Sequence, residues 1–311
     1  MGEERGWTKV LSVPQQALGR YDERGIFGTG PLVGVPNYGE YVTVFYNKDI
    51  FAANNLQVPT SLAEFEAVMD AFVKKGITPI AEAANDYPAV HLWYELALSK
   101  SDHAWVENFQ GLKAPLDTQP FLFASQKLQE WVDKGYVSKD ATGLTASDMV
   151  AQFEAGKSPI VVTGTWYAGE FGAKIANFKL GNFLFPGNSI HPASTGNIWV
   201  VPKSAKSKNL ACDFIDITLG KDSQVSLGNA GGVALTVDAS EISDPVGSEL
   251  TRGANAITVA NGLGYYPDWP VAGYYEVIRQ KVQALVGGTI TPEAAVDELT
   301  QTYNDAQAEA R

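Results

Sequence analysis

Residues 145–171 read TASDMVAQFEAGKSPIVVTGTWYAGEF, and they contain a helix, a strand and a second helix in direct succession. Thr145 and Asp148 form a capping box at the start of the first helix, and Gly156 follows its end. The apolar run at 158–163 predicts a buried strand, the sequence Gly-Thr-Trp at 164–166 predicts a turn, and a short helix follows. A strand enclosed by helices is typical of an α/β fold.

The same alternation extends to both sides of this stretch. Ser61 and Glu64 form a capping box for an upstream helix, and the last helix begins with Thr291 as its cap and Pro292 in its first position. We expect further helices over 61–76, 118–135, 210–219, 222–231 and from 291 towards the C-terminus, with a strand at 198–202. The whole pattern supports the α/β class.

Composition excludes several classes of protein. The chain has 311 residues, with 35 acidic and 23 basic side chains and a net charge of −12, which disfavours nucleic acid and anionic membrane surfaces as partners. One Cys excludes a disulfide framework and multi-Cys zinc sites, and Cys212 lies in an apolar helical pattern that predicts burial. No apolar run is long enough to span a membrane, and the charged start MGEERGWTKV contains no signal-peptide core.

Motifs for catalysis or cofactor binding are missing from the sequence. His91, His103 and His191 are scattered, and none has a partner at metal-ligand spacing. The Gly-rich stretch at 25–30 matches neither dinucleotide nor P-loop spacing, so we expect a plain loop. We therefore expect no enzyme, no metal and no cofactor. Two carboxylates could still serve a glycosidase, but a chain with 35 acidic residues always offers such a pair.

Aromatic residues in polar or Gly/Pro-rich stretches are the informative feature. A pyranose presents an apolar C–H face that packs on such rings, while its hydroxyls need polar partners. The rings in question are Tyr38, Tyr87, Trp166, Trp199, Tyr265, Tyr266, Trp269, Tyr274 and Tyr275. Their polar neighbours are Asn37, Glu40, Asn85, Asp86, Glu170, Asn197 and Asp268. The mixture predicts a carbohydrate site.

Core packing is the simpler explanation for some of the rings. Trp93, Trp105 and Trp131 fall on helical patterns, so we expect them to be buried. Trp166 and Trp269 stand beside Gly or Pro in turns, which favours a ligand role. For Trp199, on a strand, both roles stay open. Because Tyr274 and Tyr275 are adjacent at a helix start, we expect only one of them to face a cleft.

Several motifs, in order, resemble one known family. Tyr46-Asn47-Lys48-Asp49 follows the strand-like YVTVFYNKDIF and precedes Pro59 and a capped helix. GKSPIVVTGTWYAGEF (156–171) and STGNIWVVPKSAKSKNLACDFIDITLGKDSQVSLGNAGGVALT (194–236) follow, and the closing helices come after YYPDWPVAGYYEVI. From about residue 31 to the end, the chain resembles the extracellular solute-binding proteins of carbohydrate ABC transporters, of which the maltose-binding protein is the best known.

The resemblance implies a two-lobed α/β clamp of the class II periplasmic-binding type, with a sugar between its lobes and hinge bending on closure. It implies a first lobe of residues 1–47 plus 199–232 and a second of 48–196 plus 235–311, with hinge crossings near 46–50, 194–200 and 231–236. The ligand residues implied position by position are Tyr38, Glu40, Asn85, Asp86, Tyr87, Trp166, Asn197, Asp268, Trp269 and Tyr274.

The resemblance also implies partners and a location. A mono- or oligosaccharide would be delivered to the permease subunits of an ABC transporter, by a monomer that needs no cofactor and binds no nucleic acid. Members of the family are bacterial, periplasmic or extracellular, and often anchored as lipoproteins.

One departure from the family concerns the first lobe. The YNKD motif comes after only 45 residues, earlier than in the family. We therefore expect an incomplete first lobe, from a misplaced gene start or from a natural or engineered fragment. Two other functions stay open: a glycoside-processing enzyme, and an interaction module in which the first lobe docks a partner segment.

Overall fold

Helices and strands alternate along the chain, as the sequence predicts. The structure is a computed structural model that describes residues 4–23, 25–196, 198–267 and 270–309. The helices are α1 Trp7–Val10, α2 Val13–Gln16, α3 Lys48–Ala53, α4 Leu62–Val73, α5 Ala89–Leu98, α6 His103–Gln110, α7 Gln119–Asp133, α8 Ala146–Glu154, α9 Ala168–Lys174, α10 Lys208–Leu219, α11 Lys221–Asn229, α12 Pro245–Val259, α13 Tyr274–Gly287 and α14 Pro292–Glu309. The strands are β1 Arg20–Tyr21, β2 Phe27–Leu32, β3 Val35–Pro36, β4 Glu40–Asn47, β5 Ile80–Ala81, β6 Ile160–Gly164, β7 Leu180–Phe183, β8 Ala193–Ser194 and β9 Ile198–Trp199.

The helix starts follow the local signals of the sequence. Thr145 and Asp148 form the reciprocal capping box of α8, and the Ser61 side chain accepts the N–H of Glu64 at the start of α4. The side chain of Asn47 accepts the N–H groups of Asp49 and Ile50 and so begins α3. This explains the YNKD string physically, because the Asn ends strand β4 and caps the next helix in one step.

The chain divides into two compact units. The first unit comprises Met1–Tyr41, Thr165–Gly169 and Ala193–Leu263, and the second comprises Val42–Gly164, Glu170–Pro192 and Gly264–Arg311. The segment that holds α12 and the turn after β6 were predicted in the second lobe, and both belong to the first unit. The chain passes from one unit to the other near 41, 164–170, 192 and 263. The hinge positions near 46–50, 194–200 and 231–236 stay predictions.

The second unit is built on a sheet whose strand order is β5-β6-β4-β7. Strand β4 is central and pairs antiparallel with β6, where Val44 faces Val162, and with β7. Because helices cover the sheet, β6 is buried at every residue, as its uninterrupted apolar sequence predicts. Trp93 and Trp131 are fully buried among these helices, and each indole N–H is satisfied, by Ser125 and by Glu66. The core role predicted for these rings is confirmed.

The first unit has shorter strands and a smaller core. Strands β3 and β9 form an antiparallel pair of two residues each, so the strand expected over 198–202 ends at Trp199. One face of α10 buries Cys212, Ile215 and Leu219 against Trp7, Leu11 and Val35, which confirms the burial predicted for Cys212. Arg5 and the Trp7 indole hold the same helix through Asp216. In the described part of the chain, none of the helices has the length and apolar character needed to cross a bilayer.

Candidate functional site

A hollow of about 260 Å³ lies within the first unit and collects three of the residues singled out from the sequence. Three segments distant in sequence form its wall: the approach to β4, the turn after β6 and the end of α11. The lining residues are Tyr38, Gly39, Glu40, Thr165, Trp166, Gly169, Leu227, Ala230, Gly231, Gly232 and Val233. Of these lining residues, Glu40 alone carries a charged side chain, so the hollow is mainly apolar and aromatic.

The Tyr38 ring is fixed by a glycine at its back. A Cβ atom on Gly196 would lie 2.5 Å from the ring, and Gly196 has a φ of +61°. The ring therefore lies flat on bare backbone, a position that any larger residue at 196 would disturb. This contact leaves the other side of the half-buried ring towards the hollow.

Glu40 is oriented by a chain of hydrogen bonds. The Ser194 hydroxyl donates to the Glu40 carboxylate at 2.8 Å, and the Gly196 N–H donates to the Ser194 oxygen at 3.1 Å. Glu40 and Ser194 are paired residues of β4 and β8, so the sheet register places both groups. The carboxylate keeps further acceptor capacity beyond the serine, because an ionised carboxylate offers about four lone-pair sites.

Trp166 projects from the turn that follows β6. The turn is held against the α11 end by close backbone contact: a Cβ on Gly169 would lie 2.6 Å from the Ala230 oxygen, and one on Gly231 would lie 2.8 Å from Gly169. The Thr165 hydroxyl also accepts the N–H of Tyr41 at 3.3 Å. Held in this way, the Trp166 ring stays 39% exposed at the hollow, which is unusual for so large an apolar group.

Gln224 of α11 stabilises the wall of the hollow, a role that the sequence did not predict. Its buried amide donates to the carbonyls of Asn37 (2.7 Å) and Thr218 (2.8 Å) and accepts the N–H of Leu235 (2.7 Å). It therefore fixes the segment that carries Tyr38. The available signal was a glutamine beside apolar neighbours in an amphipathic helix, which by itself is common. The Gly231-Gly232 pair, for which a hinge role stays a prediction, also lines the hollow.

Residues 85–87 lie in a loop of the second unit between β5 and α5. The Asp86 carboxylate accepts the N–H groups of Tyr87 (2.7 Å) and Ala146 (3.0 Å), so it ties the loop to the start of α8. Asn85 accepts a hydrogen bond from Gln283 of α13 at 2.9 Å. Asn85 is exposed and Tyr87 is half-buried. Asp86 thus has a clear structural role here, while Asn85 and Tyr87 present the accessible groups.

A buried histidine supports the Tyr87 ring. The His91 and Tyr87 rings meet edge to face with centroids 5.6 Å apart, and the Tyr275 hydroxyl donates to the Tyr87 carbonyl. Burial lowers the pKa of His91 to about 3, because the surrounding protein solvates the imidazolium poorly. The imidazole is therefore neutral at physiological pH.

This shift predicts that His91 makes the protein less stable in mild acid. The unfolded chain protonates His91 below about pH 6.5, whereas the folded protein resists protonation down to about pH 3, so stability falls as the pH falls through that window. The slope is at most about 1.4 kcal/mol per pH unit. Urea unfolding of the wild type and of His91→Gln between pH 4.5 and 7.5 measures this slope. Burial raises the pKa of Glu82 to about 8, which gives the free energy of unfolding an opposite pH dependence. Subtracting the free energies of the two proteins removes that contribution. A difference that does not vary with pH would contradict the assignment.

One predicted site residue lies away from both groups, and three more fall outside the described residues. The prediction for Tyr274 is wrong: the side chain is fully buried and its hydroxyl donates to the Leu299 carbonyl. The reason is helical periodicity, since Tyr274, Ile278, Val282 and Leu285 form the buried face of α13. Asn197, Asp268 and Trp269 lie outside the described residues. Within the described ranges, no group of three or more His, Cys, Asp or Glu side chains is placed to hold a metal ion.

Comparisons with known proteins agree on one family. The sequence model of the bacterial extracellular solute-binding proteins matches residues 15–246. A "Probable sugar-binding periplasmic protein" of Rhizobium meliloti (strain 1021) is 27% identical over 177 residues, which cover 54% of this chain and 39% of that protein. A "Maltooligosaccharide ABC transporter solute-binding lipoprotein" of Streptococcus pneumoniae serotype 4 is 21% identical over 230 residues, covering 71% of this chain and 53% of that protein. The chain therefore spans less than two thirds of the length of either relative.

A solved structure shows that the similarity includes the fold. A "Chitin oligosaccharide binding protein" superposes with a TM-score of 0.81 at 21% identity, over 100% of this chain and 78% of that one. This degree of similarity identifies the two-lobed periplasmic-binding fold. Since the family match covers most of the sequence, the chain belongs to the bacterial extracellular solute-binding protein family.

Proposed function

We propose that the protein binds a mono- or oligosaccharide at the hollow of the first unit and delivers it to an ABC transporter permease. The observation that carries the proposal is the pair of accessible rings, Tyr38 and Trp166, set beside the Glu40 carboxylate in a mainly apolar hollow. The rings offer a surface for the C–H face of a pyranose, and the carboxylate accepts from its hydroxyls. Both relatives described above carry names that refer to sugars, which supports the same class of ligand.

The second unit has a separate candidate sugar-binding surface at residues 85–87. Tyr87 offers a ring, Asn85 offers an amide, and the loop is braced from α5, α8 and α13, so both groups are presented with little freedom. A braced loop loses little conformational entropy when it binds, which favours affinity. We include Asn85 and Tyr87 in the proposal as second-unit contacts and place this activity on the periplasmic or extracellular side of the membrane.

Binding without hydrolysis is the function that the hollow supports. Glycoside hydrolysis usually needs two carboxyl groups on opposite sides of the scissile bond, about 5 to 9.5 Å apart. Among the described residues that line the hollow, Glu40 alone has a carboxylate. We therefore propose a carrier that releases its sugar unchanged.

A thermal-shift screen with chitin, maltose-series and raffinose-series oligosaccharides tests this function. A sugar that binds only the folded protein stabilises it by RT ln(1 + [L]/Kd), or about 2.7 kcal/mol at a concentration of 100 Kd. For a chain of 311 residues we expect a rise in Tm of about 4 °C with at least one sugar. The bound sugar is then recovered by heat and analysed by mass spectrometry. No shift with any sugar, or recovery of shortened sugar, would reject the proposal.

A further inference from the structure

A second cavity lies in the second unit, against the outer edge of strand β5. Its volume is about 370 Å³, compared with about 260 Å³ for the hollow of the first unit, and the two have no described lining residue in common. The lining residues are Gly76, Ile77, Thr78, Ile80, Glu82, Ser138, Asp140, Ala141, Leu144, Gln152, Lys157 and Ser158. More than half of them carry polar or charged side chains, which suits a ligand that forms hydrogen bonds.

The cavity exists because the segment that covers the edge of β5 contacts the strand region at two separate points. Strand β5 is the first in the sheet order and therefore has one edge without a partner strand. The Ile80 N–H donates to the Tyr136 carbonyl at 3.1 Å, and the Ala84 N–H donates to the Ala141 carbonyl at 2.8 Å. Glu82 lies between these two contacts and lines the cavity together with the covering segment.

Glu82 is the group that points to a ligand. It is 4% exposed, and one of its carboxyl oxygens accepts the Ala83 N–H at 2.8 Å. The other oxygen has no partner in the described part of the chain and is reachable from the cavity. No Lys, Arg or His side chain of the described ranges forms an ion pair with this carboxyl group. Because a buried carboxylate without a cation is costly, burial raises the pKa of Glu82 to about 8.

Glu82 also decides which charge the ligand should carry. The other charged residues of the described lining, Asp140 and Lys157, are exposed and opposite in sign. Water screens both of them and their charges balance, so the buried carboxyl group dominates the electrostatics of the cavity. The group that Glu82 lacks is a cation. The hydroxyls of Thr78 and Ser158 add uncharged hydrogen-bonding groups for the rest of a ligand.

We propose that this cavity binds a small molecule with a primary ammonium group, which pairs with the Glu82 carboxylate. The ammonium group supplies the charge that the protein does not, and its three N–H groups match the carboxylate and the hydroxyl oxygens of the lining. On binding, the Glu82 proton leaves to water, because the bound cation stabilises the ionised carboxylate. The cavity lies within the second unit, away from the hollow, so the proposal does not depend on the proposed function.

Titration calorimetry with two probes tests the proposal: putrescine, a diamine, and γ-aminobutyrate, an amino acid. Each probe is compared with the compound that carries hydroxyl groups in place of its amines, 1,4-butanediol and γ-hydroxybutyrate. We expect at least one amine to bind about tenfold or more tightly than its hydroxyl counterpart, because only the amine pairs with the buried carboxylate. The probe that binds better identifies the source of the ammonium group.

The displaced proton gives a second measurement. At pH 7 the wild type should release about 0.9 proton per amine bound, since a group whose pKa is about 8 is mostly protonated at that pH. The dependence of the binding enthalpy on the ionisation enthalpy of the buffer measures this release. The affinity should rise about ninefold from pH 6 to pH 7, because the proton that binding must displace is held less firmly as the pH approaches the pKa of Glu82.

Glu82→Gln separates this cavity from general attraction of cations to an acidic protein. The variant keeps the size of the side chain and an oxygen for the Ala83 N–H, but it has no charge. It should weaken amine binding by about 30-fold or more and abolish the proton release. Glu107→Gln, at an exposed position of α6, is the matched control and should bind like the wild type. Equal amine binding by Glu82→Gln and the wild type, equal binding of each amine and its hydroxyl counterpart, or no binding of either amine at about 10 mM would overturn the proposal.

Discussion

Replacing Trp166 by Ala is expected to weaken sugar binding by about 30-fold or more, corresponding to a loss of about 2 kcal/mol. The indole is 39% exposed at the hollow, on a turn whose backbone is fixed by the contacts of Gly169 with the α11 end. Because the ring is held in place before a ligand arrives, its removal takes away stacking area that neither Thr165 nor Gly169, the other lining residues of the turn, can supply. Titration calorimetry with the sugar found in the screen measures the change.

The control for this variant is Trp199→Ala. Trp199 has nearly the same exposure, 38%, but its ring packs edge to face on Phe214 of α10 and lies outside the hollow. Its replacement should leave the sugar affinity at the wild-type value, and both variants should melt within a few degrees of the wild type. If the two substitutions reduced the affinity equally, the hollow would not be the sugar site.

Replacing Gln224 by Leu is expected to lower the free energy of unfolding by about 3 kcal/mol and to weaken sugar binding. The variant keeps a similar volume but leaves one buried N–H and two carbonyl groups without their partner, and each such loss costs about 1 to 3 kcal/mol. Tyr38 follows Asn37, whose carbonyl depends on this amide, so the ring should lose its fixed position as well.

Hydrogen exchange of the first unit is the direct measurement for this variant, because a chain of two units need not unfold in one step. We expect faster exchange for the amides of Leu235 and of the segment around Asn37, with the second unit unchanged. Gln301→Leu makes the same chemical exchange at an exposed position of α14 and should cost less than about 0.5 kcal/mol. An equally mild effect of Gln224→Leu would contradict the role assigned to its three hydrogen bonds.

Local signals in the sequence were sufficient for the helices α4, α7, α8, α10, α11 and α14 and for strand β6. The capping box of Thr145 and Asp148, the cap at Ser61 and the Pro292 start each act within about four residues, and all three helices form where they were expected. The same holds for the buried strand β6, whose apolar run needs no distant partner to be recognised. Strand β9 is shorter than its sequence predicts, because its length depends on its partner strand β3, which has only two residues.

Part of the candidate site was predictable from the sequence. Tyr38, Glu40 and Trp166 were selected for their polar surroundings, and the structure brings all three to one hollow. Tyr274 was selected by the same reasoning and is buried, since the choice between two adjacent tyrosines depends on which side of α13 meets the core. The signal that Gln224 carried was too common to single it out, because its role depends on residues that come near it only after folding.

The sequence by itself therefore determined the α/β class and the boundaries of several helices, and its ordered motifs carried the resemblance to the solute-binding family. The class and the boundaries depend on caps and periodicity, which act over a few neighbouring positions. Only the tertiary structure decided which rings share a hollow, where the two units divide and which acidic group is buried at a cavity. Those outcomes rest on contacts such as Glu40 with Ser194 and Gln224 with Asn37, which join positions 154 and 187 residues apart and are fixed by packing of the whole unit.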